Sequence, residues 1–295
     1  MNNHSFLNRP LANTKPFNRR VALFFLCCVS AILLSACGEH AASKTDISAA
    51  SSAPMIPNAA AEGERIIQQN RALDNSRDRW VKMAVKIEEA DGQTQNVQLE
   101  ISRKRESDNQ RMMLINFTAP AEERDRSALI IVSPQGEIEG IRYMQSSNSF
   151  VTAKGATNED SLFGLTAQEM IDGQTEKYSF RLLGEETLDA TPVYKLEGTL
   201  KPGAESKFAR LVTWVDKSNY TTLAAEFYNN KNELQRRVSI TKNEQVNGHW
   251  TQMHYAIDNL ARKKKLDLEI KEVRYDQNLS PQIFTRENLK KLTMK

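Results

Sequence analysis

Cysteine and histidine are scarce in this chain, and long apolar runs are missing. Three of the 295 residues are cysteine (Cys27, Cys28 and Cys37), and none follows position 37. That distribution excludes a disulfide scaffold, a cysteine metal site and a cysteine nucleophile from the rest of the chain. The four histidines are His4, His40, His249 and His254. His249 and His254 are five apart on an expected strand, so they point to opposite faces. Such a pair makes neither a shared metal site nor an acid–base couple. No nucleophile elbow, phosphate-binding glycine loop or HExxH motif occurs. The adjacent carboxylates Glu122-Glu123 and Glu185-Glu186 read as solvated surface. No enzyme is expected, and no metal or cofactor. An excess of one charge is also absent. The net +3 comes from 40 basic and 37 acidic residues. Four of the basic residues (Arg9, Lys15, Arg19, Arg20) precede Cys37 and no acidic one does, so 36 basic side chains face 37 acidic ones beyond it. A strongly basic nucleic-acid binder is thereby excluded.

The longest mostly apolar run is residues 21–34. A bilayer span needs about 20 such residues. This run is shorter, follows Arg19-Arg20 and ends in small residues, which is the layout of a secretory signal peptide. Leu34-Ser35-Ala36-Cys37 resembles the lipobox of bacterial lipoproteins. The resemblance implies that the Cys37 thiol takes a diacylglycerol and that cleavage makes Cys37 the new N-terminus. Small residues before it fit the peptidase, and the thiol is the nucleophilic attachment point. Several acyl chains hold a protein stably at a membrane, whereas one holds it marginally. Gly38, not Asp, follows the cysteine. That implies the outer membrane of a Gram-negative-type bacterium, with the protein on its periplasmic face.

Residues 1–36 are thus expected to be signal peptide, and 37–61 a lipidated cysteine followed by an Ala- and Ser-rich tether. A coil of about 24 residues reaches roughly 25–30 Å. Residues 62–295 are expected to form one domain. Ile66, Ile67, Asn70 and Leu73 fit one face of a short helix over 62–77. Period-2 alternation follows: Val81, Met83, Val85 and Ile87 alternate with polar neighbours, and so do Val97, Leu99 and Ile101 in 94–105. Residues 111–117 are apolar on both faces and predict a central strand. Further strands are expected at 127–132, 137–144, 149–152, 177–185, 191–200, 207–216, 220–229, 233–243, 249–258 and 264–275, with a short helix near 166–171. Asn247-Gly248 favours a hairpin turn. The fold class is mainly β, one strongly curved antiparallel sheet or barrel of about eleven strands.

Four segments resemble outer-membrane lipoprotein-sorting proteins of the LolA/LolB-like superfamily. They are 114–132 (LINFTAPAEERDRSALIIV), 178–197 (YSFRLLGEETLDATPVYKLE), 211–228 (LVTWVDKSNYTTLAAEFY) and 274–289 (RYDQNLSPQIFTRENL). In the last, Phe284-Thr285 opens a final helix and Leu289 packs back. The resemblance implies a half-open β-barrel with short helices over its mouth, whose apolar concave face receives acyl chains of lipoproteins or lipids. It also implies a binding module that takes part in lipoprotein or lipid transfer to the outer membrane. Helices near 62–77 and 160–172 would move to admit the ligand. Candidate lining residues are Met83, Val85, Ile87, Ile115, Phe117, Leu223, Phe227, Met253 and Tyr255. The plainer reading of the same residues is a filled core. Trp80, Trp214 and Trp250 lie out of phase with these faces; they cover the rim or the convex side, or anchor the core, and core anchoring is preferred. Arg262-Lys263-Lys264-Lys265 is read as a solvated hairpin tip, the alternative being contact with anionic headgroups. Expected partners are the membrane through Cys37, acyl chains, and an inner-membrane transporter or periplasmic carrier. Two other functions stay open: an accessory subunit of an inner-membrane RND-type lipid exporter, and an envelope interaction module without transport.

Overall fold

The structure, a computed structural model, describes residues 56–106, 110–154, 163 and 175–294. Helix α1 (Ala59–Ala72) leads into β1 (Asp78–Glu88), β2 (Thr94–Arg105), β3 (Arg111–Ala119), β4 (Ala128–Val132), β5 (Ile138–Met144) and β6 (Ser149–Lys154). Then come β7 (Tyr178–Leu188), β8 (Thr191–Leu200), β9 (Arg210–Asp216), β10 (Thr222–Tyr228), β11 (Leu234–Val246), β12 (His249–Asn259), β13 (Lys264–Tyr275) and helix α2 (Arg286–Thr293). The count is thirteen strands rather than about eleven, because each expected run keeps its own turn and none merge. Asn247 and Gly248 both have positive φ (50° and 83°), the backbone that a two-residue hairpin of this type requires.

All thirteen strands form one antiparallel sheet in the order β6-β5-β4-β3-β2-β1-β13-β12-β11-β10-β9-β8-β7. Neighbours in space are neighbours in sequence, except that the first strand pairs with the last. Val85 lies opposite Leu268, and Ile87 opposite Leu266. The sheet does not close into a barrel: its edges are β6 and β7, which follow each other along the chain.

Side chains directly opposite in an antiparallel pair share a face. Following the register therefore traces one continuous apolar face. It runs from Ala128 and Ile115 on β4 and β3, through Ile101 and Val81 on β2 and β1, to Val273 on β13. A parallel line joins Ile87, Leu266, Ile257, Val238, Ala225, Thr213, Leu196 and Leu182 across β1 to β7. On the opposite face, the β3–β5 region is thickly covered by described residues. Met112, Leu114, Leu129, Ile141 and Tyr143 pack there with Phe284 and Leu289. β3 is consequently buried on both sides, as its composition predicts. Thr285 accepts the backbone N–H of Asn288 at 3.2 Å and so starts α2 as an N-cap.

Helix α1 begins three residues before, and ends five residues before, the helix expected over 62–77. Three alanines favour its early start, and the polar Asp74-Asn75-Ser76 follows its end. Ile66 and Ile67 are fully buried against Tyr178, Phe180 and Leu196, worth about 1.5–3 kcal/mol each. α1 also runs along the edge strand β7. The Glu64 carboxylate accepts the backbone N–H of Phe180 at 2.7 Å, and Arg71 donates to the Thr175 carbonyl at 2.5 Å. An edge strand otherwise presents unpaired N–H groups to solvent or to another chain. In the described structure α1 therefore covers this edge and is hydrogen-bonded to it. The helix expected near 166–171 lies outside the described residues.

The tryptophans do not anchor the core. None of the three is buried. Arg274 lies 4.7 Å from the Trp80 ring and Lys195 5.0 Å from that of Trp214, and the Trp214 indole N–H donates to Glu186. The Trp80 and Trp214 rings lie under basic side chains on the face opposite the apolar one. Tyr178, Phe117 and Phe180 fill the core instead. The basic run ends in ion pairs, Lys264 with Glu89 at 2.6 Å and Lys265 with Glu88 at 3.4 Å.

Candidate functional site

The apolar face is the candidate site, and its geometry follows from the alternation. Met83, Val85, Ile87, Ile115 and Phe117 all lie in one buried cluster, with Met253 and Tyr255 half-buried against it. Phe227 belongs to the adjoining cluster under α1, with Phe208 at 5.1 Å between ring centroids. Leu223 lies in neither cluster. The register shifts between Thr222 and Ala224, so Leu223 is the extra residue of a bulge and strand parity reverses there. Val97, Leu99, Ile130, Leu266, Leu268 and Phe163 belong to the same larger cluster. The five on strands carry the same period-2 signal as the chosen residues. Phe163 carries none, since its segment does not alternate.

Both ends of this face are polar. At one end Arg79 lies opposite Arg103, and Asp74 pairs with both, Arg79 at 3.9 Å and Arg103 more closely. Burial pushes the Asp74 carboxyl up, but the two guanidinium charges and hydrogen bonds from Arg103 and Ser76 outweigh it and bring the pKa to about 2. A carboxylate with a depressed folded pKa stabilises above its unfolded pKa, and that contribution disappears as pH falls through the folded value. Asp74→Asn is accordingly expected to lower the urea midpoint at pH 7, with the deficit shrinking to nothing between about pH 4 and pH 2. A deficit unchanged down to pH 2 would show that the Asp74 charge is not its source. Tyr255 lies within the face, where burial pushes its phenol up to about 12, against a smaller opposing effect of Arg79.

At the other end stand Gln95, Glu123, Arg126 and Arg142. Gln95 donates to Glu123 at 2.6 Å, and Arg126 Nη1 to the same carboxylate at 2.5 Å. Arg142 is buried and donates to the Asp125 carbonyl at 3.0 Å.

His249 stacks on Tyr275 at 4.3 Å, and His254 faces Asp267 at 3.1 Å on the other side of the sheet. Among the described residues no group of three or more His, Cys, Asp or Glu side chains could hold a metal. No helix among them is long and apolar enough to cross a membrane.

Comparison with known proteins agrees with this geometry. A DUF1329 family protein from Desulfovibrio piger superposes with TM-score 0.72 at 22% identity, over 78% of this chain and 99% of that one. A domain named for outer membrane lipoprotein sorting, from Vibrio parahaemolyticus, gives 0.68 at 20% identity, over 78% and 99%. A LolA superfamily protein from Nitrosomonas europaea gives 0.61 at 17% identity, over 77% and 98%. These identities speak for the fold. No curated protein matches the sequence. A family model described as "-like: Uncharacterized protein" matches residues 109–291. With more than half of its length matched by that model, the chain belongs to this family, and its fold is the LolA-like one.

Proposed function

We propose that the protein binds acyl chains of lipoproteins or lipids on the apolar face of its sheet and receives them at the outer membrane, where Cys37 anchors it through lipid. The observation that carries this reading is the continuous apolar face on a sheet that does not close. An enzyme would need convergent polar groups there; among the described residues this face is mainly aliphatic and aromatic, with its charged groups at the ends. Met83, Met113 and Met253 on it suit flexible chains, because methionine is unbranched and adaptable. Binding then requires no bond to be made or broken, since apolar burial supplies about 25 cal/mol per Å². An anchored protein acts as an acceptor rather than a shuttle, because a tether of about 24 residues cannot cross the periplasm.

Gentle purification followed by organic extraction is expected to yield native lipid by mass spectrometry, and a fluorescent fatty-acyl probe is expected to bind. Met253→Glu, at a half-buried position, should weaken the probe at least tenfold, because the carboxylate would have to be desolvated beside the chain. No extracted lipid together with no probe binding would remove the acyl-chain reading and favour an envelope interaction module.

A further inference from the structure

The polar end of the apolar face near β3 and β4 differs in kind from the end held by Asp74. Arg126 closes the short turn Ala121–Arg126 between those strands. Its guanidinium lies 5.0 Å from the Phe117 ring and 5.6 Å from the Phe163 ring, and those two rings are 6.0 Å apart. The side chain is 14% exposed. Nη1 is engaged by Glu123, whose other oxygen is taken by Gln95. Nε is buried and has no hydrogen-bond partner among the described residues. Nε and Nη2 make up the second donor edge of the guanidinium, the fork that matches a carboxylate or phosphate. A second buried cation, Arg142, projects from β5 on the same face, directly opposite Ala128 and Val151. The guanidinium groups of Arg126 and Arg142 thus both stand at this end of the face, with the Glu123 carboxylate on Arg126. A charged donor held between two rings is already oriented, and a charge-assisted hydrogen bond made there is stronger than one made in water.

We infer that the ligand of the apolar face is an anionic amphiphile, whose carboxylate or phosphate oxygen takes the Nε edge of Arg126 while its chain lies along Phe117, Ile115 and Met83. The inference rests on the acyl-chain reading and adds headgroup charge to it.

Three ligands of equal chain length test it in competition with the fluorescent probe on the full mature protein, at pH 8 and below micelle-forming concentrations. They are hexadecanoate, its methyl ester and hexadecyl phosphate. The acid, the phosphate or both should bind at least about tenfold more tightly than the ester. Whichever anion is preferred distinguishes a fatty-acid carboxylate from a lipid phosphate. Arg126→Gln should abolish the preference, bringing the anions to the affinity of the ester in the same variant, and Arg126→Lys should retain part of it. Equal binding of all three by the unaltered protein overturns the headgroup inference and leaves the acyl-chain reading standing, whether or not the variants fold. A preference that survives in Arg126→Gln overturns the assignment to Arg126. Failure of all three to bind removes the acyl-chain reading and this inference with it.

Discussion

Cys37→Ser is expected to abolish incorporation of a labelled palmitate analogue and to empty the outer-membrane fraction of this protein. The size of the effect follows from the number of chains. Each buried methylene contributes about 0.8 kcal/mol, and a single chain gives only marginal, reversible attachment, so stable anchoring takes two or more. A hydroxyl at position 37 offers no thiolate for the diacylglyceryl transfer, and every later acylation depends on that first step. The apolar run of residues 21–34 is too short to replace the anchor as a comfortable span. The measurement is metabolic labelling combined with membrane fractionation. A Cys37→Ser protein that keeps its label and its outer-membrane position would end the lipoprotein reading, while leaving the binding face untouched as a separate question.

Gly63→Ala is expected to destabilise the domain by about 1–3 kcal/mol, although alanine is the better helix former. Intrinsic propensity alone would favour the change by about 1 kcal/mol. The helix, however, lies against the edge strand at this point. A Cβ on Gly63 would stand 2.5 Å from Arg181 Cα and 2.7 Å from its carbonyl carbon and nitrogen. Those are main-chain atoms, which have no rotamer to retreat into, and overpacking of this kind typically costs 1–3 kcal/mol. Relief by lifting α1 would uncover Ile66 and Ile67 and stretch the bond from Phe180 N–H to Glu64, which adds to the loss. Urea denaturation gives the stability, and size-exclusion chromatography tests a second consequence: an uncovered β7 should promote self-association. A variant more stable than the parent would mean that the helix does not seat on the strand as described.

Most strands were legible because one physical rule, alternation on a half-buried sheet, recurs along the chain, and β3 was legible as an apolar run buried on both faces. Met83, Val85 and Ile87 are on the apolar face for the same reason that Lys82 and Lys86 are not. The rule fails where geometry changes parity, and Leu223 beside the β10 bulge is the instance. It says nothing about pairing between distant strands, so the contact of β1 with β13 was out of reach. Core anchoring is the preferred sequence reading of the tryptophans although they lie out of phase with the apolar faces, but the Trp80 and Trp214 rings lie under Arg and Lys side chains on the opposite face rather than inside. Gly63 reads in sequence as a weak point of a helix, and only the strand beneath it gives it a purpose. Arg126 sits in a run of charges, AEERDR, which alone reads as a solvated turn. The fold turns it over two aromatic rings.

The pairing of the first strand with the last has a consequence for how the chain reaches this state. Strands β1 to β6 and β7 to β13 are each meanders whose ladders join sequence neighbours, and such local contacts form without closing large loops. Among the strand pairings a single seam, from Arg79 opposite Tyr275 to Glu88 opposite Lys265, joins the two meanders at the greatest separation along the chain. Loop-closure entropy grows only slowly with length, so one long closure costs far less than many. The molecule thus concentrates its non-local strand pairing in one zipper, and the cluster spanning Met83, Val85, Leu266 and Leu268 across that zipper is both the middle of the proposed binding face and the place where the two meanders become one sheet.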